Sequence, residues 1–171
     1  LVTNADYTSV VNDKQYSRIQ SYLADAREQG ARVIEINPAN ERFENTRKIP
    51  PTIIIGAKPE MLIMQNEIFG PILPILEIES LSQALEFVNS RPRPLALYYF
   101  DNDSARADYV VTHTHSGATG INDVVTHVGV DDLPFGGVGP SGMGRYHAYE
   151  GFQTYSNMKA VLVRSSIYSC L

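Results

Sequence analysis

An α/β fold, a mainly parallel sheet flanked by helices, is predicted by three observations. Short β-branched runs alternate with amphipathic stretches along the 171 residues. The links between successive strand candidates are long enough to hold a helix, as a parallel crossover requires. Turn formers punctuate the boundaries. At 43% hydrophobic and 19% charged residues, the composition is that of a globular chain able to bury a core.

The elements follow in order. Residues 13–29 bring Tyr16, Ile19, Leu23 and Ala26 together at helical spacing, with Asn12 or Asp13 as N-cap and Gly30 as the stop. Residues 31–36 (ARVIEI) alternate like a strand, and residues 37–51 read as a polar loop. Pro50-Pro51 leads into Thr52–Ile55, a β-branched run typical of a buried strand. Residues 73–78 form the next strand candidate, after which Ser80 can cap a helix with Leu81, Leu85 and Val88 inside. Residues 95–100 (LALYYF), bounded by Pro94 and Asp101, predict another buried strand. Asp101 or Asn102 then caps a helix running to His115, with Ala105, Tyr109 and Thr112 on one face. Residues 117–122 are a short strand, and residues 158–163 a last one.

Charge and cysteine content exclude whole classes of function. A formal net charge of −5 argues against a nucleic-acid partner, because phosphate binding needs a basic face. No apolar run approaches the ~18–20 residues of a membrane span, and no basic-then-apolar signal pattern opens the chain. One cysteine, Cys170, leaves no internal disulfide framework. The expectation is a soluble, cytoplasmic domain. The opening LVTNADYTSVVNDKQ lacks a methionine and reads as cut from something longer, while residues 165–171 show no clear amphipathic period.

The most unusual stretch is LPFGGVGPSGMGR, residues 133–145, with five glycines in the nine residues 136–144. Glycine at that density means positive φ or close backbone approach. Gly137, Gly139 and Gly142 match G-x-G-x-x-G literally. That fingerprint needs a preceding strand, a helix opening inside it and an acidic residue about 20 positions on. Here Pro134 precedes it, Pro140 interrupts it, and no Asp or Glu occurs after Glu150. A pocket wall bearing Phe135 is the better reading, against a plain tight connection.

Glu67-Ile68-Phe69-Gly70-Pro71 is the second marker. In an extended segment the acid and the ring, two residues apart, face the same side. The carboxylate could accept from sugar hydroxyls while the ring lies beside a flat heterocycle; a capping Glu and a core Phe are the alternative.

EIFGP, INDVVTH and LPFGGVGPSGMGRYHAYEGF together, with PLALYYF and FQTYSNMKAVLVR, resemble the C-terminal part of the NAD(P)-dependent aldehyde dehydrogenase superfamily. The likeness covers nearly the whole chain. The LPFGGVGxSGMGxYH form is most similar to the class 3 and fatty or aryl aldehyde branch, bacterial coniferyl aldehyde dehydrogenases included. The resemblance implies a catalytic-domain fold, incomplete on its N-terminal side. It divides the chain into residues 1–157, a partial catalytic (substrate) domain, and residues 158–171, a strand that joins a sheet across a subunit interface, plus a tail.

It also implies roles. Glu67 would hold the nicotinamide ribose hydroxyls of NAD or NADP and Phe69 would help position the nicotinamide. Phe135 would line the aldehyde pocket. Asn122, in the Asn-Asp-Val segment, and the following Thr126 and His127 would edge the substrate funnel. The intact enzyme would oxidise an aldehyde, coniferyl or another aromatic or aliphatic one, to its carboxylate through a cysteine thiohemiacetal, as a homodimer or larger homo-oligomer. The nucleophilic cysteine, the general-base glutamate and the cofactor domain are expected upstream of Leu1, so this chain holds no catalytic residue and is expected to be inactive alone. A non-catalytic assembly module built on the same fold is the alternative, and an independent nucleotide-binding domain a third.

Other residue types that suggest chemistry read as structural. Cys170 lies outside any motif, and Ser141 has no nucleophile elbow around it. His113 and His115, about 200° apart on a helix, cannot share a metal ion, and His127 and His147 add no ligand spacing. Arg145 and Lys159 are expected to anchor the glycine loop and the last strand. Asp131-Asp132 is a solvated pair, and Arg91-Pro92-Arg93-Pro94 a rigid, exposed connection.

Overall fold

The computed structural model describes residues 1–164, which fall into two compact units: Leu1–Ile78, and a second beginning at Glu79. Cys170 and the rest of residues 165–171 lie outside the described residues.

The first unit is a three-stranded sheet with a helix packed on it. Helix α1 (Asp13–Glu28) starts where the Asn12 side chain accepts from the Gln15 amide at 2.9 Å. It ends in a Schellman turn: Gly30, at φ +86°, donates to the Arg27 carbonyl and Ala31 to the Ala26 carbonyl. The predicted stripe is real and one residue richer. Ile19, Tyr22, Leu23 and Ala26 are buried, and Tyr16 packs at the margin.

Strand β1 (Arg32–Glu35) pairs antiparallel with β2 (Thr52–Ile55), and β2 pairs parallel with β3 (Ile72–Ile75), in the order β1-β2-β3. The β2–β3 crossover carries a short helix, α2 (Leu62–Gln65), which the sequence reading missed. No capping side chain of its own starts that turn. Asp25 on α1 supplies the acceptor, taking the Leu62 amide at 2.8 Å.

Ile54 and Met61 are fully buried, and with Ile49, Ile63 and Ile72 they complete the core under α1. Buried Thr52 is satisfied by donating its hydroxyl to the Pro50 carbonyl at 2.8 Å. Strand β3 stops at Ile75, short of the expected residue 78. Its register runs out there, because β2 ends opposite it at Ile55 and turns at Gly56. Pro74 is tolerated because β3 is an edge strand.

The second unit opens with α3 (Leu81–Asn89), capped by Ser80, whose hydroxyl accepts from the Gln83 amide. Strands β4 (Ala96–Tyr99) and β5 (Ala118–Ile121) pair in parallel, joined by α4 (Ser104–His113). Asp103, rather than Asp101 or Asn102, caps α4, accepting from the amides of Ala105 and Arg106. The buried face of α4 is Ala107 and Val110, not Ala105, Tyr109 and Thr112. Tyr109 lies on the open side, stacked on His113 with ring centroids 3.8 Å apart.

After β5 the chain is irregular: a 3-10 turn at Thr126–Gly129, the glycine loop with a second 3-10 turn at Gly139–Ser141, and a short helix α5 (Ala148–Thr154). Residues 158–163 form no strand here, a correction to the sequence reading. A strand needs a partner for its ladder bonds, and this segment has none among the described residues; Leu162 is 97% exposed. The two parallel pairings and one antiparallel pairing, with helical crossovers, make the fold α/β as expected, its strands in two separate sheets.

Candidate functional site

In the first unit the acid-and-aromatic segment is held from behind by α1. Arg18 Nη1 donates to the Glu67 carbonyl at 2.8 Å and Nη2 to the Ile68 carbonyl at 2.7 Å. Gln15 Oε1 accepts from Arg18 Nε at 2.6 Å, and the guanidinium lies 5.0 Å from the Tyr22 ring centroid, so the fork is fixed before it meets the segment. Ile68 turns toward the core, leaving Glu67 and Phe69 outward on either side of it.

The segment is not simply extended. Phe69 sits at φ +47°, a left-handed conformation that costs a non-glycine residue about 1–2 kcal/mol. Two charge-assisted hydrogen bonds just before it offset that strain. Glu67 and 84%-exposed Phe69 line one groove of about 810 Å3, with Tyr7, Asn12, Gln15 and Arg18 among its other walls. An acceptor and a flat ring therefore face one space, which fits the ribose-and-nicotinamide end of a dinucleotide. Among the described residues that line this groove, the one cation, Arg18, is spent on backbone carbonyls.

In the second unit the glycine loop closes on itself. Phe135 and Tyr146 exchange both backbone hydrogen bonds, at 3.0 and 2.9 Å, and form the neck of the loop. Inside, backbone packs on backbone. A Cβ at Gly137 would stand 2.0 Å from the Ser141 carbonyl oxygen, and one at Gly136 2.2 Å from that of Gly144. Arg145 ties the turn, donating to the carbonyls of Gly137 (2.5 Å) and Gly144 (3.0 Å), as expected of it. Lys159, by contrast, is exposed and makes no hydrogen bond or ion pair among the described residues.

The accidental nature of the G-x-G-x-x-G match now has a physical form. The Val138 amide donates to Ser141 Oγ, the Ser141 amide to the Val138 carbonyl and the Gly142 amide to the Gly139 carbonyl. Amides spent inside the loop cannot cradle a phosphate.

Around the neck stands an aromatic cluster. Half-buried Phe135 has Tyr146 edge-on at 5.4 Å, His147 stacked at 6.0 Å and His127 at 6.1 Å, and Tyr98 meets His127 at 5.8 Å. His127 Nε2 is buried without a hydrogen-bond partner. His147 takes φ +77°, and its Nδ1 lies 3.2 Å from the Leu133 carbonyl. The sequence reading missed His147 and Tyr146 as wall residues. Their signal was present, since both directly follow the glycine run, but only the closed neck turns them toward Phe135.

The Asn122 amide is engaged with the backbone of the neighbouring strand exit. Its Oδ1 accepts from the Asp101 amide at 2.9 Å and its Nδ2 donates to the Asp101 carbonyl at 2.8 Å, which clamps the exit of β5 to that of β4. Asp101 is itself a hub. Its carboxylate takes two bonds from Arg106, at 2.7 Å each, one from the Tyr99 hydroxyl and one from the Asp103 amide. The Arg106 fork, then Tyr99, hold this carboxyl well below the usual carboxylate range, and the same carboxylate pushes the Tyr99 phenol up. Thr126 bonds back to Asp123 Oδ1 at 3.0 Å, and Val125 before it sits at φ +67°, unusual for a β-branched residue. The segment of residues 122–127 is thus a strained but pinned loop that delivers His127 to Phe135.

His113 stacks on Tyr109, and Ser141 Oγ is used within the loop. No group of three His, Cys, Asp or Glu side chains that could hold a metal ion exists among the described residues. Nor, among them, is any helix long and apolar enough to cross a membrane.

Residues 1–161 match the aldehyde dehydrogenase family. A probable coniferyl aldehyde dehydrogenase of Caulobacter vibrioides is 51% identical over 160 residues, covering 92% of this chain and 33% of the relative. The coniferyl aldehyde dehydrogenase of a Pseudomonas strain is 49% identical over 169 residues, 98% of this chain and 35% of the relative. A crystal structure of Mycobacterium tuberculosis aldehyde dehydrogenase complexed with NAD+ superposes with a TM-score of 0.79 at 28% identity, covering 91% of this chain and 32% of that one. The chain spans about a third of the length of these relatives. One continuous match takes in the acid-and-aromatic segment, the Asn-Asp-Val segment and the glycine loop, and on that ground this chain belongs to the aldehyde dehydrogenase family.

Proposed function

We propose that the intact protein carrying this chain is an NAD(P)-dependent aldehyde dehydrogenase that oxidises coniferyl aldehyde, or another aromatic or aliphatic aldehyde, to its carboxylate. The observation that carries this reading is the pair of coniferyl aldehyde dehydrogenases about 50% identical over nearly the whole chain. The aromatic cluster around Phe135 supports an aldehyde with a flat ring.

Bound NAD(P)+ would accept the hydride. Toward it, Glu67 accepts from the ribose hydroxyls and Phe69 flanks the nicotinamide, both steadied by Arg18. Phe135 and His127 wall the aldehyde pocket, and Asn122 and Thr126 hold the edge loop in place. No residue of this chain takes the part of nucleophile or base. Those roles belong to a cysteine and a glutamate supplied from outside it, so the chain by itself is inactive. Exposed Met158, Val161, Leu162 and Val163 suit a strand completed by another subunit, which supports a homo-oligomer.

Two assays test the reading. The intact protein, given coniferaldehyde with NAD+ or NADP+, is expected to form NAD(P)H; no turnover with any aldehyde tried would sink the proposal. The 171-residue chain alone is expected to form none, and a rate proportional to its concentration would overturn its assignment as non-catalytic.

A further inference from the structure

The groove that Glu67 and Phe69 line is walled elsewhere by residues 6–12, a segment with neither helix nor strand of its own. Belonging to no ladder, it takes its course from whatever groups outside it bond its main chain. We infer that Lys48 is a positioning residue for the cofactor, fixing this wall through the carbonyls of residues 1–4. That role rests on the reading of the groove as the ribose-and-nicotinamide end of a dinucleotide site. Lys48 does not itself line the groove, so it acts through the segment it holds.

A lysine ammonium carries three N–H donors and no acceptor. Lys48 Nζ donates to the carbonyls of Leu1 at 3.2 Å, Val2 at 2.9 Å and Asn4 at 2.7 Å. All three donors are thus spent on main chain within four residues. Glu41 answers with the opposite polarity, its Oε1 accepting from the Val2 amide at 3.1 Å. A compact positive charge drawing three carbonyls together holds an irregular turn more firmly than neutral bonds would, since charge-assisted bonds are about twice as strong.

The residues on either side of Lys48 bind the same segment further along. The Val10 amide donates to the Arg47 carbonyl at 2.9 Å, and Arg47 Nε donates to the Val10 carbonyl at 3.1 Å. The Tyr7 hydroxyl donates to the Ile49 carbonyl. Arg47 and Ile49 therefore hold positions 10 and 7, and Lys48 holds the stretch that leads into them. This triplet is itself fixed, because Ile49 is buried and Pro50-Pro51 stiffen the run into β2.

The Glu67–Phe69 edge hangs from the same strand end. The Thr52 amide, at the start of β2, donates to the Pro71 carbonyl at 2.8 Å, two residues past Phe69. Both walls are thus referred to one place, and the space between them is set there. A displacement of about 1 Å in such a wall can cost a site on the order of 100-fold. Arg18 steadies one wall by its carbonyls, and Lys48 steadies the other in the same manner.

The test uses the intact protein. Lys48→Met removes the donors and keeps a long stem. It should raise the Kd for NAD+ or NADP+, whichever the wild type binds, by about tenfold in calorimetry, while KM for the aldehyde moves by less than about twofold. Lys48→Arg, which keeps the charge and several N–H donors, should recover most of the affinity. Lys58→Met, at an exposed lysine of the same unit bonded to the Gln29 carbonyl, should leave the Kd within about twofold. In hydrogen exchange, Lys48→Met should speed the amides of Asp6 and Val10 and leave β1–β3 as in the wild type. A wild type that binds neither cofactor overturns the dinucleotide reading of the groove and this role with it. If the wild type binds, three results overturn the positioning role alone: equal affinity in Lys48→Met, equal losses toward cofactor and aldehyde, or faster exchange throughout β1–β3.

Discussion

Each unit uses an arginine in the same way and rests it on a different foundation. Arg18 grips the carbonyls of Glu67 and Ile68, and Arg145 those of Gly137 and Gly144, and in each case an aromatic residue is presented beside the grip. In the first unit the gripped segment lies on a side-chain core: Ile68 packs on the cluster around Ile19, Ile54 and Met61. In the second the support is backbone on backbone, and among the described residues there only Leu85, Ala107 and Val110 are buried apolar side chains. Side-chain packing can yield by rotamer changes, whereas two main chains in contact cannot. The Phe135 wall should therefore be the less tolerant of substitution, and the Glu67–Phe69 edge the more adjustable.

The sharpest way to break that contrast is to add one methyl group to each. Gly137→Ala drives a Cβ to 2.0 Å from a carbonyl oxygen and should cost more than about 4 kcal/mol locally, with amide exchange at Phe135 and Tyr146 rising to that of an open loop. Gly70→Ala meets only the tip of Ile19 at 2.6 Å and should cost about 1–3 kcal/mol. Equal losses in denaturant titrations would refute the distinction between the two foundations.

Removing core from the first unit comes next. Ile54→Ala should cost about 2–5 kcal/mol, because Ile54 is fully buried at the centre of the sheet. The loss should appear as faster exchange throughout β1–β3 and little change in β4–β5.

Arg18→Ala removes two charge-assisted bonds and should destabilise the strained Phe69 turn by about 1.5–3 kcal/mol. In the intact enzyme it is expected to raise KM for NAD(P)+ more than KM for the aldehyde. An effect on the aldehyde alone would detach Glu67 and Phe69 from the cofactor.

The smallest effect concerns pH. The folded carboxyl of Asp101 is depressed, so its contribution is present above the unfolded value of about 3.9 and fades as pH falls toward the folded value. Asp101→Asn should be less stable than wild type at neutral pH, and the gap should narrow on acidification below about pH 4. A gap that stays constant down to pH 2 would deny the Asp101–Arg106 pair that role.

Much of this was legible along the chain because it depends on near neighbours. Asn12, Ser80 and Gly30 act within a few residues of themselves, so the limits of α1 and the start of α3 could be read directly. Thr52–Ile55 is a strand in the sequence and in the fold alike, since four β-branched residues suit little else. What failed was set at a distance. Helix α2 starts because Asp25, 37 residues earlier, meets its first amide. Residues 158–163 have strand composition and no strand, since pairing belongs to two segments and no second one lies beside them among the described residues. The burial of α4 falls on the other stripe because Ala105 and Ala107 are equally apolar, and only the folded surroundings decide which of them is covered.

The site divides in the same way. The motifs that carry the family resemblance drew attention to Glu67, Phe69 and Phe135, and Pro134 and Pro140 argued against a phosphate loop, because residue type and order carry that information. Sequence could not show that Arg18 holds the acid-and-aromatic segment, that Asn122 spends its amide on Asp101, or that His127 and His147 flank Phe135. By itself the sequence determined the fold class, the local caps and turns, and the family. Tertiary structure alone decided which polar groups are already spent and which still face open space, because a hydrogen bond is settled by where its partner lies in three dimensions.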